Sequence, residues 1–416
     1  MPPFLIPRRA APTHALASRA STVIAIARLR FDSRYTGGFP KIIGPRAFRA
    51  AIPMTEFVRA EVQGHIGYLT LNRPKALNSL SLEMIRAITQ ALSAWQIDDA
   101  IGAVVLRSGS EKAFCAGGDI RFFHRVAQCT PRGGSALLED FFTEEYALNH
   151  LIHHYTKPYV VFMDGIVMGG GMGISQSGPQ SRLCIVTERT RLAMPEVHIG
   201  IFPDVGGSYF LSRTPGEIGT WLGVAVEVIG PADALVAGLA DLYVPSERLS
   251  DLFALLAQWD GKDLPGAIRD FAASPSSPLS PGDSPLAQAR ESIDRHFSQQ
   301  SVQAIAVSLA SDPSPFAQKT LATMQQGSPL LMCVTLEQLR RGRHLDVAQC
   351  LRMERDLVRR CFEHPDALEG IRARVIDKDN APRWSPATLE EVNSEMVEGF
   401  FEPVWPAWAH PLRHLR

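Results

Sequence analysis

Two carboxylates, Glu196 and Asp204, lie eight positions apart in an apolar stretch rich in glycine and proline, residues 193–207. A carboxyl group in apolar surroundings acquires a raised pKa, which suits it to proton transfer near neutral pH. Asp204 also precedes a short helical pattern at residues 208–212, so ordinary helix capping is an alternative role for it. His198 has apolar residues on both sides. We expect it to be a packed histidine and not a catalytic one.

Two glycine-rich turns are the other candidates for chemistry. The first, residues 114–120, contains Gly117 and Gly118, and the second, residues 168–173, contains Gly170 within a run of three glycines. A glycine turn that opens a helix presents free N–H groups at the positive end of that helix, and a ligand can approach them closely. Two such turns from neighbouring strands would bring two donors to one oxygen, which is an oxyanion hole. The alternative is a pair of tight turns without a ligand, since neither has the spacing of a dinucleotide site or of a P-loop.

The elements that must position these residues follow an α/β pattern. Strand patterns predict a hairpin of residues 57–62 and 66–71, and amphipathic periodicity predicts a helix at residues 81–95. Continuous apolar runs predict two buried strands, at residues 104–106 and 160–163. Each of the two buried strands is followed by one of the glycine turns. Helical patterns separate the strands, so the fold class is α/β.

Composition divides the chain into a leader, a catalytic core, a linker and a helical C-terminal region, at residues 1–53, 54–273, 274–285 and 286–416. The leader carries nine Lys and Arg residues against one acid, and we expect it to be disordered and outside the fold. Such a leader has the composition of a mitochondrial transit peptide, which would place the protein in the mitochondrial matrix. The alternative, which we favour, is an upstream extension of the reading frame with Met54 as the working start, and a cytoplasmic protein.

Whole-chain composition excludes several classes of function. The 42 basic and 43 acidic residues give a net charge of −1, which leaves no basic surplus for nucleic acid. No apolar run approaches the ~18 residues of a membrane span. The six cysteines lack CxxC spacing, which indicates reduced thiols and neither a disulfide framework nor a zinc site. We therefore expect no nucleic acid, no membrane and no metal as partners.

Residues 112–120, 165–173 and 194–207 together resemble the motif set of the crotonase (enoyl-CoA hydratase/isomerase) superfamily. The resemblance implies a crotonase-like spiral of ββα units with a helical C-terminal region. It also implies that the N–H groups of Gly118 and Gly170 polarise the thioester carbonyl of an acyl-CoA. The same first turn would bind substrate through Gly117 and Asp119. Coenzyme A is then part of the substrate, and no separate cofactor is implied.

A further segment, residues 72–78, resembles the loop that embraces the adenosine part of CoA in this superfamily. The resemblance implies that Lys75 contacts a phosphate and that Ala76 lies in the same binding loop. A solvated turn without a ligand is the alternative for this segment.

The chain departs from the hydratases of the superfamily at two positions. Hydratases carry a catalytic glutamate where this chain has Gly173, and a glycine where it has Asp204, whereas their second glutamate is retained as Glu196. This exchange resembles the 3-hydroxyisobutyryl-CoA hydrolase family. Residues 141–146 resemble the same family, and Glu145 corresponds there to a glutamate that contacts substrate. A solvated helix face is the alternative for Glu145.

The resemblance implies hydrolysis of a short branched hydroxyacyl-CoA thioester, 3-hydroxyisobutyryl-CoA, to 3-hydroxyisobutyrate and CoA, in valine catabolism. Glu196 and Asp204 would share the activation of water or nucleophilic attack and the orientation of the substrate, and Glu145 would anchor its 3-hydroxyl. A mixed anhydride on Glu196 and general-base catalysis are both open. The alternatives are an enoyl-CoA hydratase or isomerase and a non-catalytic acyl-CoA-binding protein. The expected partner is the acyl-CoA, and a homo-oligomer is left open because superfamily members often form trimers.

Overall fold

The computed structural model describes residues 55–416 apart from 131–133, 177, 179–180, 274–278 and 280–282. The predicted leader lies outside the described residues, and so does most of the predicted linker. The predicted core and C-terminal regions, from residue 55 onward, belong to a single compact unit.

The first elements match the sequence patterns closely. Strands β1 (Val58–Gln63) and β2 (Ile66–Leu71) pair in antiparallel register around Gly64 and form the predicted hairpin. The predicted helix is α1 (Leu82–Gln96), whose N-cap Ser81 accepts a hydrogen bond from the N–H of Met84. Its apolar face packs on the sheet because its buried residues recur at helical spacing.

Nine strands in the described residues form two sheets. The six-stranded sheet has the order β1-β2-β3-β5-β7-β9 and is parallel beyond the hairpin, with β3 (Ala103–Ser108), β5 (Tyr159–Met163), β7 (Arg182–Val186) and β9 (Leu242–Tyr243). The second sheet is parallel and three-stranded, with the order β4 (Ala113–Cys115), β6 (Ile166–Met168) and β8 (Arg191–Ala193).

The second sheet corrects one expectation. Each glycine turn was expected to follow a strand of the main sheet, but each follows a short strand of the second sheet, β4 or β6. Strands of three residues carry too little periodicity to be recognised in a sequence. The chain therefore repeats a unit of long strand, short strand and helix, as in β3, β4 and α2 (Ile120–Cys129), or in β5, β6 and α4 (Gly170–Gly173). This is the ββα spiral that the resemblance implied.

The main sheet is covered on both faces, which explains the continuous apolar strands. One face packs against α1 and α3 (Ala136–His153) through residues such as Val104 and Val161. The other face packs against α8 (Leu249–Ala257) and α9 (Leu264–Ala273) through residues such as Val105 and Phe162. Three short helices connect the second half of the core: α5 (Gly207–Phe210), α6 (Ile218–Ala225) and α7 (Pro231–Val236).

The C-terminal region is helical, as predicted. It contains α10 (Pro285–Phe297), α11 (Val302–Ala310), α12 (Pro315–Met324), α13 (Pro329–Gly342), α14 (Val347–Glu363), α15 (Pro365–Ile371) and α16 (Ser394–Phe401). Helix α13 packs on α5 and α6, and α14 packs on α3 and α5. Among the described helices, none has the length and apolar character needed to cross a membrane.

Candidate active site

The two glycine turns meet at the ends of neighbouring parallel strands. Strand β4 pairs with β6, so the turns that follow them lie side by side. A Cβ built on Gly170 would lie 3.4 Å from the amide nitrogen of Gly118. Within the part of the chain that the structure describes, neither of these two N–H groups donates a hydrogen bond. Two adjacent, unused amide donors are what an oxyanion hole requires.

Both turns depend on glycine for their backbone conformation. Gly117 has φ +100° and Gly169 has φ +48°, values in the left-handed region that L-residues with side chains rarely adopt. These conformations turn the N–H groups of the following residues, Gly118 and Gly170, away from the strands. The sequence prediction that the two turns converge is therefore consistent with the geometry, although the role of the amides stays a prediction.

Three carboxylates surround this pair of amides, and all are buried. Glu196 comes from the 3-10 turn Glu196–Ile199, Asp204 from the loop before α5, and Glu145 from the middle of α3. A Cβ built on Gly169 would lie 2.6 Å from Oε1 of Glu196, and one built on Gly170 would lie 2.8 Å from Oε1 of Glu145. The solvated helix face considered for Glu145 is therefore wrong, because its side chain is directed into the protein.

Burial and mutual repulsion raise the pKa of each carboxyl group. The pKa of Glu196 is raised well above its usual range by burial and then by the charge of Asp204. Burial, followed by the charges of Asp204 and Glu196, likewise raises the pKa of Glu145 well above its usual range. Burial raises the pKa of Asp204 to about 6. Carboxyl groups of this kind exchange protons near neutral pH.

Tyr146 distinguishes Asp204 from the other two carboxylates. Its hydroxyl donates a hydrogen bond to Oδ2 of Asp204 at 2.7 Å, and this bond opposes the rise in the pKa of Asp204. Oε1 of Glu145 and Oε2 of Glu196, in contrast, are buried without a hydrogen-bond partner among the described residues. Of the three carboxyl groups, Asp204 is thus the one whose ionised form is least disfavoured, while the unpaired oxygens of the other two are available to a substrate.

Asp204 does not cap a helix with its side chain, so that alternative is wrong. Helix α5 begins after Gly206, and it has no local side-chain cap. His198 is a structural residue, as expected, because its Nε2 lies 3.1 Å from the carbonyl oxygen of Thr323. Burial lowers the pKa of His198 to about 4, so it is neutral at physiological pH.

The position at which hydratases carry their other glutamate is closed to a side chain. A Cβ built on Gly173 would lie 2.6 Å from Cβ of Val205 and 2.8 Å from Nδ2 of Asn149. Asn149 lies one helical turn after Glu145 on α3, and both polar atoms of its side chain are buried without a partner in the described residues. The site therefore has Asp204 on one side of this position and no room for a second glutamate.

The predicted CoA loop is connected to the oxyanion turn by the buried side chain of Asn78 and by a part-buried ion pair. Asn78 donates from Nδ2 to the carbonyl oxygens of Ala113 and Phe114, at 3.1 and 3.0 Å. Asp119 caps α2 by accepting from the N–H of Phe122 at 3.1 Å, and it pairs with Arg73 at 2.8 Å. The carboxylate of Asp119 is thus engaged within the protein, and its predicted substrate contact has no direct support in this geometry.

Lys75 and Ala76 lie on the short turn Pro74–Ala76 at the rim of this loop. Lys75 is exposed and Ala76 is half-buried. Among the described residues, the amino group of Lys75 has no ion-pair partner. An unpaired cation on this loop is compatible with a phosphate contact, which stays a prediction.

Sequence reasoning missed several residues that shape the site. Tyr146 was part of the recognised 141–146 segment, so the signal was present but was not used. Asn149 could have been found from its i+4 spacing to Glu145. Glu354 and Gln338 contact the Asp204 loop from the C-terminal helices, and no local pattern relates them to a site about 150 positions away. No group of three metal-ligating side chains was found in the residues that the structure describes.

Paired amides beside buried carboxyl groups are the groups with which an enzyme can polarise a carbonyl group and transfer protons beside it. The sequence profile of the enoyl-CoA hydratase/isomerase family matches residues 66–401. The chain belongs to this family.

Curated relatives extend the match over most of the chain. The chain is 39% identical over 351 residues to "3-hydroxyisobutyryl-CoA hydrolase, mitochondrial" of Gallus gallus, which covers 83% of this chain and 89% of the relative. It is 38% identical over 354 residues to "3-hydroxyisobutyryl-CoA hydrolase 1" of Arabidopsis thaliana, covering 83% and 92%.

Two solved structures with similar identity carry names from a different reaction class. A carnitinyl-CoA dehydratase from Mycobacterium thermoresistibile superposes with a TM-score of 0.77 at 38% identity, covering 85% of this chain and 98% of that one. An enoyl-CoA hydratase from Rhodobacter sphaeroides gives 0.75 at 37%, covering 84% and 98%. These names agree on CoA esters and disagree on the reaction.

Proposed function

We propose that this enzyme hydrolyses 3-hydroxyisobutyryl-CoA to 3-hydroxyisobutyrate and CoA, a step of valine catabolism. One observation carries the proposal: the Glu196 carboxylate lies against the second glycine turn with Asp204 close enough to raise its pKa, while the position of the hydratase glutamate, Gly173, is closed by Val205 and Asn149. The names of the curated relatives support the same reaction and substrate. The proposal has two parts: the substrate is a CoA thioester, and its acyl group is a short, branched hydroxyacyl group.

The proposed reaction begins with the thioester oxygen between the N–H groups of Gly118 and Gly170. Their dipoles stabilise the negative charge that develops there when a nucleophile adds to the carbonyl carbon. The tetrahedral intermediate then collapses, the carbon–sulfur bond breaks, and the sulfur leaves with the bonding electron pair. A carboxyl group that has gained a proton returns it to the thiolate, so that proton transfer balances over the cycle.

Two identities of the nucleophile are compatible with this site. In one, a carboxylate takes a proton from water, and the resulting hydroxide equivalent attacks the carbonyl. In the other, Glu196 itself attacks, CoA leaves, and water hydrolyses the mixed anhydride. A single turnover in H2¹⁸O identifies the anhydride when ¹⁸O appears in the peptide that contains Glu196, because only hydrolysis of the anhydride at its Glu196 carbonyl leaves it there. If all the label is in the hydroxyacid, water has attacked the acyl carbon of either the thioester or the anhydride, and mass spectrometry of that peptide after an acid quench shows whether Glu196 was acylated.

The direct test of the function is thiol release. The protein should liberate free thiol from 3-hydroxyisobutyryl-CoA, and it should not hydrate crotonyl-CoA at a comparable rate. Hydration of crotonyl-CoA without thiol release would favour the lyase reading that the two solved structures suggest. Tight binding of both thioesters without turnover would identify an acyl-CoA-binding protein.

We propose that the reaction needs no metal ion or redox cofactor. In this proposal the groups that carry the mechanism are amides and carboxylates of the chain itself, and Glu145 would accept a hydrogen bond from the 3-hydroxyl of the acyl group. Thiol release should therefore be unchanged after exhaustive treatment with EDTA and dialysis. Activity that is lost on chelation and restored by one divalent cation would contradict this proposal.

We also propose a compartment for the enzyme, the mitochondrial matrix. The word "mitochondrial" in the names of several relatives supports the matrix over the cytoplasm for this enzyme. Mass spectrometry of the native N-terminus distinguishes the two. A terminus at or just after Met54 supports internal initiation and a cytoplasmic protein, whereas cleavage at a non-methionine position in residues 1–53 supports import. Light scattering of the same native sample would show whether the enzyme is a homo-oligomer.

A further inference from the structure

The loop that carries Asp204 ends at the N-terminus of α5, and this N-terminus is capped from the other end of the chain. Oε2 of Glu354, on α14, accepts a hydrogen bond from the N–H of Gly206 at 2.7 Å. Oε1 of the same carboxylate accepts from the N–H of Ser208 at 2.9 Å and from its hydroxyl. Glu354 is fully buried and has no cationic partner among the described residues. Both of its oxygens are thus used to bind the Asp204 loop.

These donors are the ones that Asp204 would otherwise use. An aspartate side chain commonly accepts from the N–H two positions further along the chain, which here is the N–H of Gly206. A side chain just before a helix also competes for the free N–H groups of its first turn. Asp204 makes neither contact, and its carboxylate accepts from Tyr146 instead. Glu354 therefore accepts from the N–H groups that the side chain of Asp204 would otherwise bind.

We infer that Glu354 is a positioning residue: by taking the N–H groups of Gly206 and Ser208, it keeps the carboxylate of Asp204 directed at Tyr146 and the reaction centre. The inference rests on the proposed role of Asp204 in thioester hydrolysis. The hydrogen bonds of the Glu354 side chain in the described residues are to Gly206 and Ser208, and not to the paired amides.

A second contact from the C-terminal region supports the same arrangement. Nε2 of Gln338, on α13, donates to the carbonyl oxygen of Pro203 at 2.6 Å and to the hydroxyl of Ser208 at 3.0 Å. Pro203 and Ser208, which flank the Asp204–Gly207 segment, are thus held by two buried side chains, Gln338 and Glu354. A buried carboxylate without a cation is costly, and an amide has a single acceptor oxygen. The carboxylate of Glu354 is the group that can accept at both of its oxygens.

Glu354→Gln tests the inference. The fold should persist, since the side chain keeps its size, while the amide group presents donors to the loop N–H groups. We expect kcat to fall ~10- to 100-fold, the scale of a misplaced catalytic group, with KM changed by less than ~3-fold. The acid limb of the kcat profile should shift, because Asp204 would exchange the hydroxyl of Tyr146 for the N–H of Gly206 as its hydrogen-bond donor. The titratable groups that face Asp204 are Glu145, Tyr146, Glu196, Glu354 and Cys361.

Arg355→Met provides a matched control from the next position of the same helix. Arg355 is as deeply buried as Glu354, but its guanidinium binds Glu139 and Thr143 on α3. This substitution should lower the melting temperature and leave the acid limb in place. A shift of the acid limb with Glu354→Gln alone supports positioning, whereas equal shifts in both variants would overturn it in favour of general loosening.

A double-mutant cycle separates this inference from the proposed function. Glu354→Gln should cost little further activity in an Asp204→Asn background, since both changes act through one side chain. Additive losses would overturn the inference while leaving the function intact. If Asp204→Asn alone retained the wild-type rate, the proposed function of Asp204 would fail instead. Should Glu354→Gln not fold, Ser208→Ala removes one donor and leaves the charge: a smaller shift in the same direction supports the inference, and an unchanged kcat profile overturns it.

Discussion

The α/β core and the helical C-terminal region contribute to the site in different ways. The core supplies the two amides, the three carboxylates and Tyr146. The C-terminal region contributes through its contacts with the two segments that carry Glu196 and Asp204. Glu354 and Gln338 hold the Asp204 loop, and the N–H of Ser328 donates to the carbonyl oxygen of Val197, next to Glu196, at 2.9 Å.

This difference follows from the local structure of the reactive segments. The amides lie at strand ends, where the sheet fixes the backbone, and Glu145 lies within a long helix. Glu196 lies instead on a single 3-10 turn, and Asp204 lies in a loop, so neither has a regular element to fix it. Helix α15 packs so closely on the Glu196 turn that a Cβ on Gly370 would lie 2.4 Å from the backbone carbon of Ile199. Residues without regular structure are thus fixed by neighbours from elsewhere in the chain.

The largest expected effect is in the core. Glu196→Gln and Asp204→Asn should each lower thioesterase turnover by ~100-fold or more, the scale of losing a positioned acid or base, with the fold intact. Turnover of 3-hydroxyisobutyryl-CoA, with circular dichroism as the check on folding, measures this. Glu337→Gln, which removes a part-exposed carboxylate paired with Arg341 on α13, is the control from the other region and should stay within ~2-fold. Near-wild-type rates in both core variants would refute the assignment of the carboxylates.

The next effect is expected where the core has no spare volume. Gly173→Glu introduces the hydratase side chain against Val205 and Asn149, and we expect loss of hydrolysis, a lower melting temperature and no appreciable hydration of crotonyl-CoA. Gly399→Glu on α16 is the control, because a side chain there meets no atom within 4 Å. Efficient hydration by the Gly173→Glu variant would show that the position, and not its surroundings, separates the two reactions.

Much of the core site could be predicted from the sequence. The hairpin and α1 follow from hydrophobic period and a serine cap, and the convergence of the glycine turns follows from their place after parallel strands. The carboxylates Glu196 and Asp204 were recognised by their apolar setting and by resemblance. These are local signals, in which the residues that matter are near one another along the chain.

The support from the C-terminal region could not be predicted in the same way. Glu354 and Gln338 lie in helices whose buried faces look like any other, and their polar partners are backbone groups more than 100 positions away. The three-residue strands of the second sheet were missed because they are shorter than one recognisable period. Val205 has φ +55°, a conformation that sequence does not reveal, and its side chain fills the space beside Gly173.

A pH profile tests the core carboxylates without substitution. The pKa of Asp204 is raised to about 6, above its usual 3.8, chiefly by burial. If ionised Asp204 is required, kcat should fall about 10-fold per pH unit below this value. The stability effect has the opposite sign, because burying the charged form disfavours folding: the relative stabilisation is complete below the unfolded pKa and is lost as pH rises through 6. Asp204→Asn should therefore raise the free energy of unfolding at pH 8, by up to about 2–3 kcal/mol, in chemical denaturation. An equal or lower stability would contradict the assigned burial cost.

The smallest expected effect concerns two similar serine caps, of which one contacts the Glu196 turn and the other does not. Ser284 begins α10 and Ser328 begins α13; each is fully buried, caps its helix, and donates to a buried aspartate at 2.6 Å, Asp233 for the former and Asp366 for the latter. Only Ser328 also binds the Glu196 turn, through its N–H and Val197. Replacement of either serine by alanine removes a cap and one donor to an aspartate oxygen, although Oδ1 of Asp233 keeps the N–H of Leu286 at 3.0 Å, so both variants should lose about 1–3 kcal/mol of unfolding free energy.

Turnover should separate the two variants. Ser328→Ala loosens the start of α13 beside the Glu196 turn, and we expect kcat to fall ~2- to 5-fold, because a small displacement of a catalytic carboxylate weakens its alignment with the substrate. Ser284→Ala should keep the wild-type kcat at the same loss of stability. Measurements well below both melting temperatures keep unfolding out of the comparison. Equal losses of kcat in both variants would mean that the C-terminal region stabilises the fold as a whole, and that its contacts with the Glu196 turn have no separate effect on turnover.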